Sequence, residues 1–372
     1  MRELQVLLSI PPQPPLVAGV PGVLRTAHDL VDGEKVRQII LYTRSGDFVE
    51  LWQRCLTPLP WTEARGATLD PNCTVLVVAP DGIPYIASLR GFLRESESRG
   101  KPTAWEWNGT VVAACYPDAS GLPRRRAPQS PEFLADALAD PYATRLSAPP
   151  AAWENVRAPD GLKRAEDRLF RSLRRESDGY LARLDRTLSI ALSRFLIRTP
   201  VTPNAITTVS LVVGLAGAAL LASPRYWVAL AGAALLWSCC ILDGCDGEVA
   251  RLTLRCSPFG ARFDVIADNI VHIAIFVAIP VHLARVHGST NIWSPAITLM
   301  AGVLLSTFSV WWLILRRPEE ERARRQRLYE RIASRDFIYL VFVLAVIEHL
   351  DWFLWSAAIG ANVFWLSLWV VL

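Results

Sequence analysis

From Thr202 to the C-terminus the chain is a succession of long apolar runs separated by short polar and basic stretches. Runs of about 20 apolar residues match the thickness of a bilayer core, where only a helix satisfies the backbone groups of an isolated segment. This half is therefore expected to be an all-α membrane domain over 199–372. Thr202 can cap the first helix, with Pro203 in its first turn, and the apolar run continues to Ala222. Later spans are expected near 225–250, 260–286, 292–316, 337–350 and 352–372, six in all, with Glu348, His349 and Asp351 marking the end of the fifth.

The basic stretches set the orientation. Arg198 precedes the first span, Arg251, Arg255 and Arg262 lie between the second and third, and RRPEEERARRQRLYERIASR lies between the fourth and fifth. The opposite connections, SPR and RVHGSTN, are short and nearly neutral. By the positive-inside rule all the basic stretches, and both termini, face the cytoplasm of an inner or cytoplasmic membrane. The net charge of +4 is too small to suggest a nucleic-acid partner, whereas Arg clusters beside apolar runs suit an anionic lipid surface.

Residues 1–198 carry most of the charge. MRELQVLLSIPPQPP has one Arg, a short apolar stretch and no small-residue cleavage site, so the N-terminal half is expected to stay in the cytoplasm. Cys55, Cys73, Cys115, Cys239, Cys240, Cys245 and Cys256 form no CxxC pair and read as free thiols in a reducing compartment. ELQVLLSI, VRQIILYT, NCTVLVVAP and TVVAACYP are strand candidates. AGVPGVLRTAHDLVDG, ending near Gly33, and IPYIASLRGFLRES are helix candidates between them. That alternation predicts an α/β domain over 1–117, Rossmann-like, with a parallel sheet covered by helices. Residues 118–160 are rich in Pro, Ala and Arg and read as a linker with one short helix near EFLADALAD. Over 161–198, Leu169, Leu173, Tyr180, Leu184, Leu188, Leu192 and Phe195 recur at mostly three- and four-residue steps opposite an Arg-rich face. This predicts an amphipathic helix on the membrane surface, or two helices broken near Gly179; a helix packed on the soluble domain is the alternative.

Between spans two and three runs DGCDGEVARLTLRCSPFGARFDVIAD, residues 243–268. Asp243 and Asp246 are three apart and Asp264 and Asp268 four apart, so each pair shares a helix face. Carboxylates at the ends of membrane spans are costly and mark function more often than ion pairing with nearby Arg. Gly247 and Ala250 lie on the stripe of the first pair, and Gly260 on that of the second, leaving room for a ligand at the backbone. Four carboxylates without a His or Cys cluster favour hard cations, a pair of Mg²⁺ or Mn²⁺ ions, over zinc.

The pattern D-x2-D-G-x2-A-R-x8-G-x3-D-x3-D resembles the signature of the CDP-alcohol phosphotransferase (phosphatidyltransferase) family, with TPNAIT similar to that family's entry into span one. The resemblance covers 160–372, and DGCDGEVARL with SPFGARFD is most similar to members fused to a cytidylyltransferase-like domain, some of which make phosphodiesters of inositol. It implies transfer of a substituted phosphate from a CDP-alcohol donor, CDP-diacylglycerol or CDP-inositol, to an acceptor alcohol, with release of CMP, in a homodimer. It implies Asp243, Asp246 and Asp264 as metal ligands and Asp268 as general base that also touches metal. Gly247, Ala250, Arg251 and Gly260 are then CDP-site candidates, joined by Asn204 and Thr207 unless these serve only the helix start. Arg198, Arg255, Arg262 and His272 are acceptor-site candidates; the Arg residues also fit positive-inside topology, and His272 a structural place. The continuation DNIVH differs from the more polar one of some inositol-phosphate users, which leaves the acceptor open.

LVAGVPGVLRTAHDLVDGEKVRQIILYT is similar to the early part of sugar-nucleotide and cytidylyl transferases. Where active members have a glycine-rich basic loop, this chain has SIPPQPPLVAG. Its prolines lack the N–H donors that cradle phosphates, and only Asp81 stands near the family's acidic segment. The domain is therefore expected to be catalytically degenerate. A bifunctional enzyme with an active N-terminal domain, and a membrane scaffold without activity, are the alternatives.

Overall fold

The computed structural model describes residues 3–11, 14–43, 60–123, 126–130, 132–173, 180–288, 290–310, 312–313, 316 and 337–371. Cys55, Gly179 and most of the basic stretch after Arg316 lie outside the described residues. The chain forms two compact units. The first comprises 1–176, 194–200 and 248–257, the second 177–193, 201–247 and 258–372.

The first unit is built on β1 (Leu4–Ile10), whose Val6, Leu7 and Leu8 are at most 1% exposed. A strand apolar on both faces must be covered on both. After it come β2 (Leu16–Val17), β3 (Val20–Pro21), α1 (Gly22–Val31), β4 (Val36–Thr43), β5 (Trp61–Glu63), β6 (Thr74–Val78), β7 (Gly82–Pro84) and α2 (Ile86–Arg99). Then follow β8 (Thr103–Trp107), β9 (Thr110–Tyr116), α3 (Glu132–Leu138), β10 (Thr144–Ser147), β11 (Trp153–Asn155) and α4 (Gly161–Ser172). The main sheet has the order β10-β8-β9-β6-β1-β4-β5. Leu24, Leu89 and Phe92 cover one face, against Val6, Leu8 and Ile39, while Phe133 and Leu134 cover the other, against Leu7, Ile40 and Val75.

Two expectations are corrected here. The sheet is mixed, because β9 runs antiparallel to both β6 and β8. Asn108 and Gly109 join β8 to β9 with positive φ, 49° and 78°, the conformation of a tight hairpin whose twist matches antiparallel strands. Nor are residues 118–160 only a linker, although the short helix expected near EFLADALAD is there as α3. α3 buries Phe133, Leu134 and Ala137, β10 extends the main sheet along β8, and β11 pairs with β7. These strands are short, and Thr144, Arg145 and Ser147 are exposed, so backbone pairing rather than an apolar pattern holds β10 in place.

Of the amphipathic stretch, α4 packs within the first unit. Ala165 and Phe170 are buried, and Arg164 and Arg168 pair with the buried Glu154 at 2.8 and 3.3 Å. The second half is a separate helix, α5 (Tyr180–Leu196), with Leu184 and Leu188 exposed and Asp185, Ser189 and Ser193 buried.

The second unit contains α6 (Pro203–Leu221), α7 (Tyr226–Leu252, whose last turn counts with the first unit), α8 (Pro258–His287), α9 (Trp293–Val310), α10 (Phe337–Val346) and α11 (Leu350–Val371). α6, α7, α8, α9 and α11 are long and apolar enough to cross a membrane, which makes this an integral membrane protein. α10 has only 10 residues and rises about 15 Å, half a bilayer core, so the described residues hold five span-length helices rather than six. Beyond Val346 the chain turns at Glu348, φ 60°, where the N–H of His349 reaches the Leu344 carbonyl at 2.8 Å.

Without water to squeeze out, membrane helices associate by close packing of small residues. A Cβ on Gly232 of α7 would lie 2.4 Å from the Leu221 nitrogen, and one on Gly214 of α6 would lie 2.7 Å from Val271 of α8. Ser210 and Cys239 exchange hydrogen bonds to each other's carbonyls at 3.2 Å. Asn362 of α11 donates to the Thr298 carbonyl of α9 at 3.1 Å.

Candidate functional site

Three helices of the second unit form the site. α6 starts as its sequence requires: the Thr202 side chain accepts from the Ala205 N–H, and Pro203 takes the first position. α7 delivers Asp243 and Asp246 one turn apart, and α8 delivers Asp264 and Asp268 one turn apart in its first half. Asp243, Asp246 and Asp264 each turn one carboxylate oxygen to a common point, all within 4.8 Å of one another. Asp268 reaches the Asp243 carboxyl group, side chain to side chain. Asp246 is 5% exposed, and the other three are half-buried.

Like charges so close, and largely shielded from water, repel unless a cation stands among them. An all-oxygen donor set of this size suits a hard divalent ion and offers nothing to a thiophilic one. The carboxylates are therefore a fitting metal centre by donor chemistry as well as by spacing.

Thr207, on α6, joins them. The residue is 3% exposed, and its hydroxyl donates to the Asp246 carboxylate. Asn204, one turn earlier, is half-buried, and its carbonyl accepts from the Thr208 hydroxyl at 2.9 Å. Gly247 follows Asp246 on α7, and Gly260 lies in the first turn of α8; both are partly exposed. Ala250, Arg251 and Arg255 fall in the segment counted with the first unit, as does Arg198. Arg198, Arg251 and Arg262 are exposed and Arg255 half-buried. His272 packs edge-on to Phe337, ring centres 5.0 Å apart, in a cluster that also holds Phe276 and Phe353.

Two buried acids on α7 and α5, Glu248 and Asp185, escaped the sequence reading. Glu248, beside Gly247, is fully buried. Asp185 of α5, 9% exposed, accepts from the Trp237 indole N–H at 2.9 Å and from the Tyr339 hydroxyl. The signal for Asp185 was its four-residue spacing to Ser189 and Ser193, a polar stripe beside the leucines. Cys245 of α7 donates its thiol to the Ser189 carbonyl at 3.5 Å.

Residues 200–370 match the family model described as CDP-alcohol phosphatidyltransferase. The chain is 34% identical over 133 residues to the "Bifunctional IPC transferase and DIPP synthase" of Aquifex aeolicus, covering 35% of this chain and 30% of that protein. The protein of the same name from Thermococcus kodakarensis is 37% identical over 122 residues, 32% of this chain and 27% of the relative. That from Archaeoglobus fulgidus is 36% identical over 129 residues, 34% and 25%. The matched stretches thus span less than a third of each relative's length.

Proposed function

We propose, from the match of residues 200–370 to the CDP-alcohol phosphatidyltransferase family model, that the protein is a membrane transferase that moves a substituted phosphate from a CDP-alcohol to an acceptor alcohol and releases CMP. The observation that carries the reading is the convergence of Asp243, Asp246 and Asp264 from two helices onto one point. The relatives' shared name, which includes a transferase, supports the reaction class.

In this reading Asp243, Asp246 and Asp264, with Asp268 beside them, hold two Mg²⁺ or Mn²⁺ ions. Bound there, the ions supply charge neutralisation for the donor's pyrophosphate. Thr207 fixes the Asp246 carboxylate through its hydrogen bond. Gly247, Ala250 and Gly260 leave backbone surface open to the cytidine and phosphates, with Asn204 and Arg251 as polar contacts. Asp268 accepts the proton of the acceptor hydroxyl as its oxygen attacks the phosphorus, and CMP departs with the bond it loses. Arg198, Arg255 and Arg262 suit an anionic acceptor or lipid phosphate. The edge-on packing of His272 on Phe337 favours a supporting role for that ring over contact with the acceptor. The donor is CDP-diacylglycerol or a CDP-inositol-like compound, in phospholipid or inositol phosphodiester synthesis.

With α10 counted as a short sixth span, the basic stretches favour a topology with both termini and the site on the cytoplasmic side, which accessibility labelling of single cysteines from each side tests. The homodimer rests on the family resemblance, and light scattering of the detergent-solubilised protein tests it.

A second reading is favoured by the relatives' printed name: a bifunctional enzyme whose first unit consumes CTP. Against it stand the proline-rich segment after β1 and the use of Arg25 to bind the Val17 carbonyl at 3.0 and 2.7 Å. The deciding experiment is CMP release from a panel of CDP-alcohols by purified protein, with and without Mg²⁺. Metal-dependent release that falls about 10²- to 10⁴-fold in Asp268→Asn is expected. No release with any donor sinks the transferase reading, and CTP consumption with an alcohol phosphate establishes the bifunctional one.

A further inference from the structure

A helix end leaves carbonyls without intrahelical partners, and α7 ends just after its signature residues. Its last turn closes as a Schellman motif. The Leu254 N–H donates to the Arg251 carbonyl at 3.4 Å, and the Arg255 N–H to the Ala250 carbonyl at 2.8 Å. The left-handed position of that motif is normally glycine, yet here it is Leu254, with φ 55°. A leucine is kept in this conformation only if its side chain gains elsewhere. Leu254 is 6% exposed and belongs to the core cluster of the α/β unit, together with Val20, Leu24 and Trp153.

A second contact lies two residues earlier. The guanidinium of Arg25, itself 5% exposed, donates through Nη2 to the Leu252 carbonyl in the last turn of α7. The same group binds the Val17 carbonyl, and the adjacent Ala18 N–H donates to Glu166 at 3.0 Å. The place where a nucleotide-binding loop is expected is thus tied by a buried cation to the end of the helix that carries Asp243 and Asp246. Only Thr253–Ser257 separate α7 from α8, so fixing this connection restricts both carboxylate helices.

We propose that Arg25 and Leu254 are positioning residues for the carboxylate centre, and that the α/β domain acts as a clamp on the α7–α8 connection. The clamp holds the mutually repelling acids in register before a cation arrives, which is preorganisation by a supporting shell. Its activity arm rests on the transferase reading above; its other arms do not.

The test uses the full chain in detergent, with Arg25→Met and Leu254→Gly. Leu254→Gly keeps the left-handed backbone and removes only the anchor. Mn²⁺ binding is read by electron paramagnetic resonance, and amide exchange over 249–257 by mass spectrometry. Each variant is expected to weaken Mn²⁺ binding about tenfold, the worth of one charge-assisted hydrogen bond or one buried anchor, and to speed exchange at Thr253, Leu254 and Arg255. Arg25→Lys, which keeps the charge but loses the fork, falls between. The Mg²⁺ needed for half-maximal CMP release rises in parallel, while kcat at saturating Mg²⁺ changes less than about twofold. Wild-type Mn²⁺ affinity and exchange in both variants overturn the clamp, as does failure of the unmodified protein to bind Mn²⁺. If Arg25→Met does not fold, Leu254→Gly and Arg25→Lys decide. Absence of CMP release from the unmodified protein strikes the transferase reading alone.

Discussion

The hydroxyl of Thr207 donates to the carboxylate of Asp246, joining two membrane helices across 39 residues of sequence at the edge of the carboxylate centre. A buried hydrogen bond to a charged acceptor contributes about 1.5–3 kcal/mol, and here it also fixes which oxygen of Asp246 faces the other acids. Thr207→Val keeps the shape and removes the donor. It is expected to raise the Mg²⁺ concentration for half-maximal CMP release about tenfold or more, and Thr207→Ser is expected to restore the wild-type value. A metal titration of initial rates checks this. Equal requirements in all three proteins would reduce Thr207 to a packing residue.

This contact also marks what was legible in the sequence. The four aspartates could be read directly, because chelation demands particular residue types at helical spacing and leaves little freedom. The membrane half was legible for a similar reason, since a bilayer admits few backbone solutions. The bond from Thr207 to Asp246 could not be read, because it depends on how two helices cross, and that is set by contacts such as Gly232 against Leu221. In the first unit, β1 stood out by its apolar run, whereas β10, TRLS, has no apolar pattern and is held by its pairing with Thr103–Glu106 of β8. The antiparallel turn at Asn108-Gly109 was a readable signal that the helix–strand alternation obscured. Asp185 was masked by the leucines around it, because amphipathic phasing weighs the apolar stripe and ignores what the opposite stripe binds.

The carboxylate centre trades stability for chemistry. Three carboxylate oxygens within 4.8 Å, with Asp268 alongside, repel when no cation is present. Asp264→Asn and Asp243→Asn are therefore expected to raise the metal-free melting temperature slightly, by about 1–4 °C, while abolishing measurable CMP release. Mg²⁺ at about 100 times its dissociation constant stabilises the unmodified protein by about 2.7 kcal/mol, and these variants lose that shift. Thermal unfolding in detergent with EDTA or Mg²⁺ reads both effects. Variants that melt lower than wild type in EDTA would mean the acids are held by structural partners instead.

Cys115 gives the α/β domain an alkaline limit. Its thiol lies on β9, 1% exposed, and burial pushes its pKa up from 9.0 to about 12. Folded and unfolded chains both keep the proton below pH 9.0, so stability is unaffected there. Between 9.0 and about 12 only the unfolded chain ionises, and stability is lost as pH rises through that window. Cys115→Ala removes this contribution, so its urea midpoint falls less than that of wild type between about pH 7 and about pH 10. The same burial makes Cys115 slow to alkylate in the native protein, which a thiol-labelling time course followed by peptide mapping records.

Asp185 anchors α5 to the membrane bundle. A carboxylate 9% exposed in an apolar surround is tolerable only with donors, and it has two: the Trp237 indole at 2.9 Å and the Tyr339 hydroxyl. The two rings stand nearly perpendicular, 83°, with centres 6.4 Å apart, so each donor is also held by the other's packing. Tyr339→Phe removes one charge-assisted bond and is expected to cost about 1.5–3 kcal/mol. Asp185→Ala removes the acceptor of both bonds and costs more, whereas Asp185→Asn keeps an acceptor for Trp237 and costs less than either. Because the three groups share one network, Asp185→Ala combined with Tyr339→Phe is expected to fall short of the sum by about 1 kcal/mol or more. Unfolding in detergent followed by tryptophan fluorescence measures the cycle. Additive losses would mean that Asp185 and Tyr339 act independently, and that α5 is held by its serine stripe alone.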